Sequence, residues 1–96
     1  MIKGYIVCVY EKIKKENAIK DYAVKAKMAV EKYNGRFLIR GGKNISTEGN
    51  KFVRTAVIEF PSFEIAKEFF YSKEYQAAHK LLKNNVIRHH QIIEGY

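Results

Sequence analysis

Residues Tyr33-Asn34-Gly35-Arg36-Phe37-Leu38-Ile39-Arg40-Gly41-Gly42 join a helix end, a short strand and a glycine pair with no residue to spare. A helix ending at Tyr33 needs a left-handed residue to stop it, and Asn34-Gly35 supplies the two types that accept positive φ most readily. A strand begins at once. Period-two alternation puts Arg36, Leu38 and Arg40 on one face and Phe37 and Ile39 on the other. Two arginines then share a face that is ordinarily apolar. Gly41-Gly42 lets a backbone or a ligand come close where the strand leaves the sheet.

Working outward, Lys3 to Tyr10 (KGYIVCVY) is rich in β-branched and aromatic residues and apolar on both sides, which predicts a central first strand. From Ala18 to Tyr33, apolar residues at Ile19, Tyr22, Ala23, Ala26, Val30 and Tyr33 follow helical spacing, with Asn17 available as N-cap. Gly42 to Lys51 reads as a long polar loop, and Phe52 to Phe60 as the third strand. Pro61-Ser62 then ends that strand and starts a helix with Ile65, Ala66, Phe69 and Phe70 on its apolar side. Ser72 caps a further short helix, which ends near Asn84-Asn85, and Ile87 to Glu94 makes a fourth strand.

This order, βαββαβ with an extra half-helix, predicts an α+β, ferredoxin-like domain with a four-stranded antiparallel sheet and right-handed crossovers. Helices can cover only one face of such a sheet. Strand one carries Tyr5, Val7 and Val9 on one side and Ile6, Cys8 and Tyr10 on the other, so neither side is a natural solvent face. A homodimer joined through the open sheet face would bury that surface and create a cavity.

At 96 residues the chain fits one domain, 1–96, and its 47% hydrophobic content with 13 Tyr and Phe excludes a disordered profile. The apolar run Tyr5–Tyr10 is too short for a membrane span and lacks a cleavage site, so a cytoplasmic protein is expected. Cys8 stands alone, which excludes an intrachain disulfide or a cysteine zinc site. The net charge of +8 raises the question of nucleic acid, but fourteen of the eighteen cations are lysines dispersed among acids. A solvated lysine surface is the simpler explanation.

Five segments carry a family resemblance: YNGRFLIRGG, Glu48-Gly49, VIEFPSFEIAKEFF (Val57–Phe70), SKEYQ (Ser72–Gln76) and the closing IIEG (Ile92–Gly95). Together they resemble the domain of unknown function 1330 family within the dimeric α+β barrel superfamily. The resemblance implies the ferredoxin-like dimer and no particular activity, since relatives in the superfamily include cofactor-free monooxygenases, haem-degrading enzymes, isomerases and ligand-sensing domains. Lys73 stands where the family commonly has proline. Lys83 stands where an arginine is frequent, which removes a bidentate guanidinium from that helix.

Arg40 is the natural partner of a carboxylate or enolate, and its structural alternative is a pair with Glu59 on the neighbouring strand. Glu59 could serve as a general base if burial raised its pKa. His89 and His90, adjacent on a strand, point to opposite faces and cannot chelate one ion, so no metal site is expected. His79 with Tyr75 could orient a ligand, and Tyr5, Tyr71 and Tyr75 could line an apolar pocket. A Cys8–histidine dyad across strands one and four is conceivable, although nothing in the sequence activates the thiol.

The reading that follows is a homodimer binding, and conceivably transforming, a small organic molecule between sheet and helices, with Arg40 and Glu59 as anchors and the 42–51 loop as a lid. No cofactor is expected, because neither a phosphate-binding glycine fingerprint nor a nucleophile elbow is present; redox or hydrolytic chemistry would need a borrowed metal, haem or activated substrate. An RNA-recognition module shares the βαββαβ order. Aligning Phe60 with the last aromatic of its third-strand signature, however, puts Thr55 and Val57 where stacking rings belong and Arg54 where glycine belongs. A structural or regulatory dimer with a filled cavity is the third alternative.

Overall fold

The computed structural model describes residues 1–96. The order is β1 (Gly4–Ile13), α1 (Glu16–Lys32), β2 (Arg36–Arg40), β3 (Arg54–Phe60), α2 (Phe63–Tyr71), α3 (Lys73–His79), a 3-10 turn (Lys80–Leu82) and β4 (Val86–Glu94). The sheet runs β2-β3-β1-β4 with every neighbouring pair antiparallel, which is the ferredoxin-like arrangement. No helix is long and apolar enough to cross a membrane.

Local chemistry accounts for the element ends. Asn34 alone takes the left-handed conformation after α1, at φ 60°. Gly35 is required for space instead, because a Cβ there would lie 2.6 Å from the Phe60 ring. Ser62 and Ser72 cap α2 and α3, accepting from the backbone N–H of Ile65 and Tyr75, each at 3.1 Å. Asn17, expected to cap α1, instead lies in its first turn: the helix starts at Glu16 with Lys15 as an N-cap that makes no side-chain bond. The cause lies just upstream, where Lys14 N–H donates to the Asn85 carbonyl at 2.7 Å and fixes the chain before the helix. β1 also outruns its expected end at Tyr10. A bulge between Tyr10 and Lys12 lets the strand pass the charged pair Glu11-Lys12 and keep Ile13 opposite Val86.

A second bulge corrects the reading of β2. Arg36 pairs with Glu59 and Phe37 with Ile58, but Ile39 pairs with Val57 and Arg40 with Ala56, so Leu38 is the extra residue. One inserted residue reverses the parity of everything after it. Arg36 and Arg40 therefore emerge on opposite faces of the sheet, not on one.

The helices pack on the face that carries Ile6, Cys8, Tyr10, Ile58 and Phe60. Phe60, Phe69 and Tyr75, each no more than 1% exposed, form its centre, with ring centroids 4.9 Å and 4.7 Å apart. Each such side chain contributes roughly 1.5–3 kcal/mol through burial alone. The opposite face has no cover. Val7, Val9 and Val57 are half-buried there, and Ile39 and Ile93 remain more than 40% exposed.

Candidate functional site

Between sheet and helices lies a mostly apolar cavity of about 40 Å³, room for roughly three water molecules. Its polar lining comes from β1 (Cys8, Tyr10), α1 (Tyr22), β2 (Arg40), β3 (Arg54) and β4 (Arg88, His90). Strand alternation brings the β1 and β4 groups together, because Cys8 lies opposite His90 and Tyr10 opposite Arg88.

Arg88 organises this space. Its Nη1 donates to Cys8 Sγ at 3.3 Å, Tyr10 Oη at 3.2 Å and Tyr22 Oη at 3.4 Å, and its Nη2 to Tyr75 Oη at 2.8 Å. The Tyr22 and Tyr75 hydroxyls are themselves 2.8 Å apart. Every acceptor is neutral. Nε, one of the five donor positions of a guanidinium, has no protein acceptor. Burial works against the Arg88 charge, and the phenol and thiol groups around it would act as counter-charges only if they ionised. Burial likewise pushes the Tyr10 and Tyr75 phenols and the Cys8 thiol up, so all three remain protonated at neutral pH.

The distribution of arginines is more telling than any single contact. Of the four in the chain, only Arg36 has a carboxylate partner, Glu59 at 3.4 Å. The other three line this one cavity. Arg40 closes one side of it, donating from Nη2 to the Ala23 carbonyl at 3.1 Å and lying over the Phe37 ring at 4.4 Å. Arg54 packs on Gly41, where a Cβ would come within 2.7 Å of its Nη1. Gly41 adopts φ 74°, so this glycine supplies both the turn and the space for the guanidinium.

The residues expected from sequence divide between two faces. Arg40, Tyr75 and His90 belong to the helix-facing network. His79 joins its edge, its ring 5.9 Å from that of Tyr75 and nearly parallel. Burial first, then the charge of Arg88, lowers the pKa of His79 and brings that of His90 down to about 3. Glu59 and Tyr5 lie on the open sheet face, hydrogen-bonded to each other at 3.2 Å. The alternative pairing of Arg40 with Glu59 is thus replaced by Arg36–Glu59, a direct result of the β2 bulge. His89 is also on the open face, beside Val9. Tyr71 points outward, 71% exposed with its ring against Phe70 at 5.0 Å, and is not among the residues that line this cavity. Cys8 and His90 are neighbours across the strands, yet the thiol's hydrogen-bond partner is Arg88.

Sequence reasoning passed over Arg88, Arg54, Tyr10 and Tyr22. A signal for Arg88 was present in IRHHQII, where alternation puts Arg88, His90 and Ile92 on one side of the strand. No three His, Cys, Asp or Glu side chains converge as metal ligands.

No functionally curated protein matches the sequence. Among solved structures, a protein of unknown function from Rhodopseudomonas palustris superposes with a TM-score of 0.76 at 13% identity, covering 99% of this chain and 83% of its own. A putative antibiotic biosynthesis monooxygenase from Caulobacter crescentus gives a TM-score of 0.64 at 11% identity over 99% and 90% of the two chains. A dimeric protein of unknown function with a ferredoxin-like fold from Bacteroides fragilis gives 0.54 at 16% identity over 96% and 95%. At these identities the likeness concerns the fold. The family model for domain of unknown function (DUF1330) matches residues 3–96, and with that match the chain belongs to the DUF1330 family.

Proposed function

We propose that this protein is a homodimer that binds a small organic anion between sheet and helices, with Arg88 as the charge partner and Arg40 and Arg54 closing the β2–β3 side of the cavity. The observation that carries the reading is the set of three arginines around one cavity without a carboxylate among them. A guanidinium in a poorly solvated site costs several kcal/mol unless an opposite charge meets it. Neutral phenols relieve only part of that cost, so a carboxylate or enolate oxygen is the complementary ligand. Tyr10, Tyr22 and Tyr75 fix the plane of the guanidinium. The protonated hydroxyls of Tyr10 and Tyr75 and the neutral His90 can add donors to a bound oxyanion.

The cavity's small volume limits what enters to the anionic head of a ligand, the remainder lying toward a mouth. The 42–51 loop springs from beside Arg40 and Arg54, where its closure would shield a bound ion. On the other side of the sheet, Val7, Val9, Ile39, Val57 and Ile93 form the apolar surface that a second copy would cover, and that the similarly folded protein from B. fragilis is dimeric supports a dimer. That surface carries Thr55 and Val57 where an RNA-binding sheet would need rings, which favours a protein partner over nucleic acid.

Calorimetric titration with butyrate tests the ligand reading. The wild-type protein should bind it with an affinity that weakens as salt increases, and Arg88→Met should abolish binding while the fold is retained. Equal binding by the variant, or none by the wild type, would leave the alternative of a ligand-free structural dimer, which the small cavity volume favours.

A further inference from the structure

Arg88 and His90 form a wall with a second space behind it. Outside them lies an open groove of about 630 Å³, bounded by β4 on one side and by His79 and the 3-10 turn on the other. Arg88 and His90 line both the inner cavity and this groove. The inner space holds a few atoms; the groove holds a small molecule.

The charged side chains of the groove, Lys80, Lys83 and Arg88, are all basic. Lys80 and Lys83 lie one 3-10 turn apart, with Lys83 N–H donating to the Lys80 carbonyl at 3.3 Å, so their side chains leave the same side of the turn. Asn84 follows in the left-handed conformation, φ 64°, and turns the chain back into β4 toward Arg88. Neither lysine has a salt-bridge partner, and no Asp or Glu lines the groove. His79 and His90 complete a wall that offers a ligand no negative group, with His89 at the strand edge on the other face of the sheet.

Building on the anion reading above, we propose that the ligand carries two anionic groups, one held by Arg88 and the other by Lys80 and Lys83 in the groove along β4. Arg88 suits a planar carboxylate through its unoccupied Nε. The two ammonium groups, mobile point charges, accept either a carboxylate or a phosphoryl group at the far end. The ligand class is therefore a short dicarboxylate or a phosphorylated carboxylic acid, approaching from the β4 edge and not from between Arg40 and Arg54.

Titrations with butyrate, succinate and 3-phosphonopropionate test this, because the three share a carboxylate and a similar length while the far end changes from methyl to carboxylate to phosphonate. Succinate or 3-phosphonopropionate should bind the wild type at least about tenfold more tightly than butyrate, and the tighter of the two identifies the far group. In Lys80→Gln/Lys83→Gln, two exposed positions, that advantage should vanish while butyrate affinity stays unchanged. Arg88→Met should lose all three. If butyrate binds and neither dianion binds more tightly, or if the double variant keeps the advantage, the groove assignment is overturned and the Arg88 site stands. If none of the three binds, both readings fall.

Discussion

Replacing Arg88 by methionine separates a binding site from a structural strut, because the two roles predict different stabilities. Methionine keeps most of the side chain's length and apolar volume and removes the charge. Tyr22 and Tyr75 retain each other at 2.8 Å, whereas Tyr10 loses the hydrogen bond it accepts from Arg88. One orphaned buried hydroxyl costs about 1–3 kcal/mol. Against that, removing a poorly solvated ion without a counter-charge returns an effective penalty of several kcal/mol. The two nearly cancel, so Arg88→Met should lie within about 1 kcal/mol of wild type, which for a chain of this size is a Tm change within roughly 8 °C in either direction. Differential scanning calorimetry in ligand-free buffer near pH 7.5 measures it. A strut would behave otherwise, since breaking a balanced buried ion network typically costs about 3–5 kcal/mol and would lower Tm by well over 10 °C. A fall beyond about 15 °C would refute the uncompensated-charge argument. Arg88→Met/Tyr10→Phe, which removes the orphaned hydroxyl, should then be no less stable than the single variant.

Other expectations follow from the same contacts. His90 titrates near 3 when folded against an ordinary 6.5, so the unfolded chain binds a proton that the folded chain does not, and stability falls as pH drops from about 6.5 toward 3. His79 adds to the fall in the same direction, and urea titrations of His90→Phe should show a flatter acid limb between pH 6.5 and 4.5. Gly35→Ala forces a methyl to 2.6 Å from the Phe60 ring and should cost about 1–3 kcal/mol by overpacking, with Phe60→Leu recovering part of it in the double variant. Ser72→Ala should destabilise more than Ser62→Ala, because Ser72 both caps α3 and donates to the Phe69 carbonyl at 2.6 Å, whereas Ser62 makes only the cap, worth about 1 kcal/mol; equal losses in urea would contradict this. Val7→Lys, on the open sheet face, should halve the solution mass measured by light scattering without disturbing the helix-side core; an unchanged mass would place the dimer contact elsewhere.

The segments whose local signals agree with the whole could be read directly. Asn34 ends α1, Ser62 and Ser72 cap their helices, and the alternation of β1 divides core from open face as its residues suggest. The site was less legible for a specific reason. Alternation was applied to RFLIR without the bulge at Leu38, an insertion set by pairing with β3 that leaves no mark in five residues. That single residue moved Arg40 from the Glu59 face to the helix face. On β4 the same rule needed no correction, and it would have put Arg88 beside His90, but two adjacent histidines suggest metal chemistry more readily than one arginine suggests an anion. What no pattern in the sequence could reveal is that Arg40, Arg54 and Arg88, from three different strands, converge on one space without an acid.

Arginine Nε–H NMR offers the most direct measurement. With only four arginines in the chain, the side-chain resonances can be assigned by substitution, and Arg88 Nε has no acceptor in the protein. On titration with butyrate or succinate the Arg88 Nε–H resonance should shift downfield and saturate, with Arg36, on the opposite face, unmoved. A saturating shift at Arg36 instead, or no shift at Arg88 at ligand concentrations that reach tens of millimolar, would contradict the assignment of this cavity as an anion site.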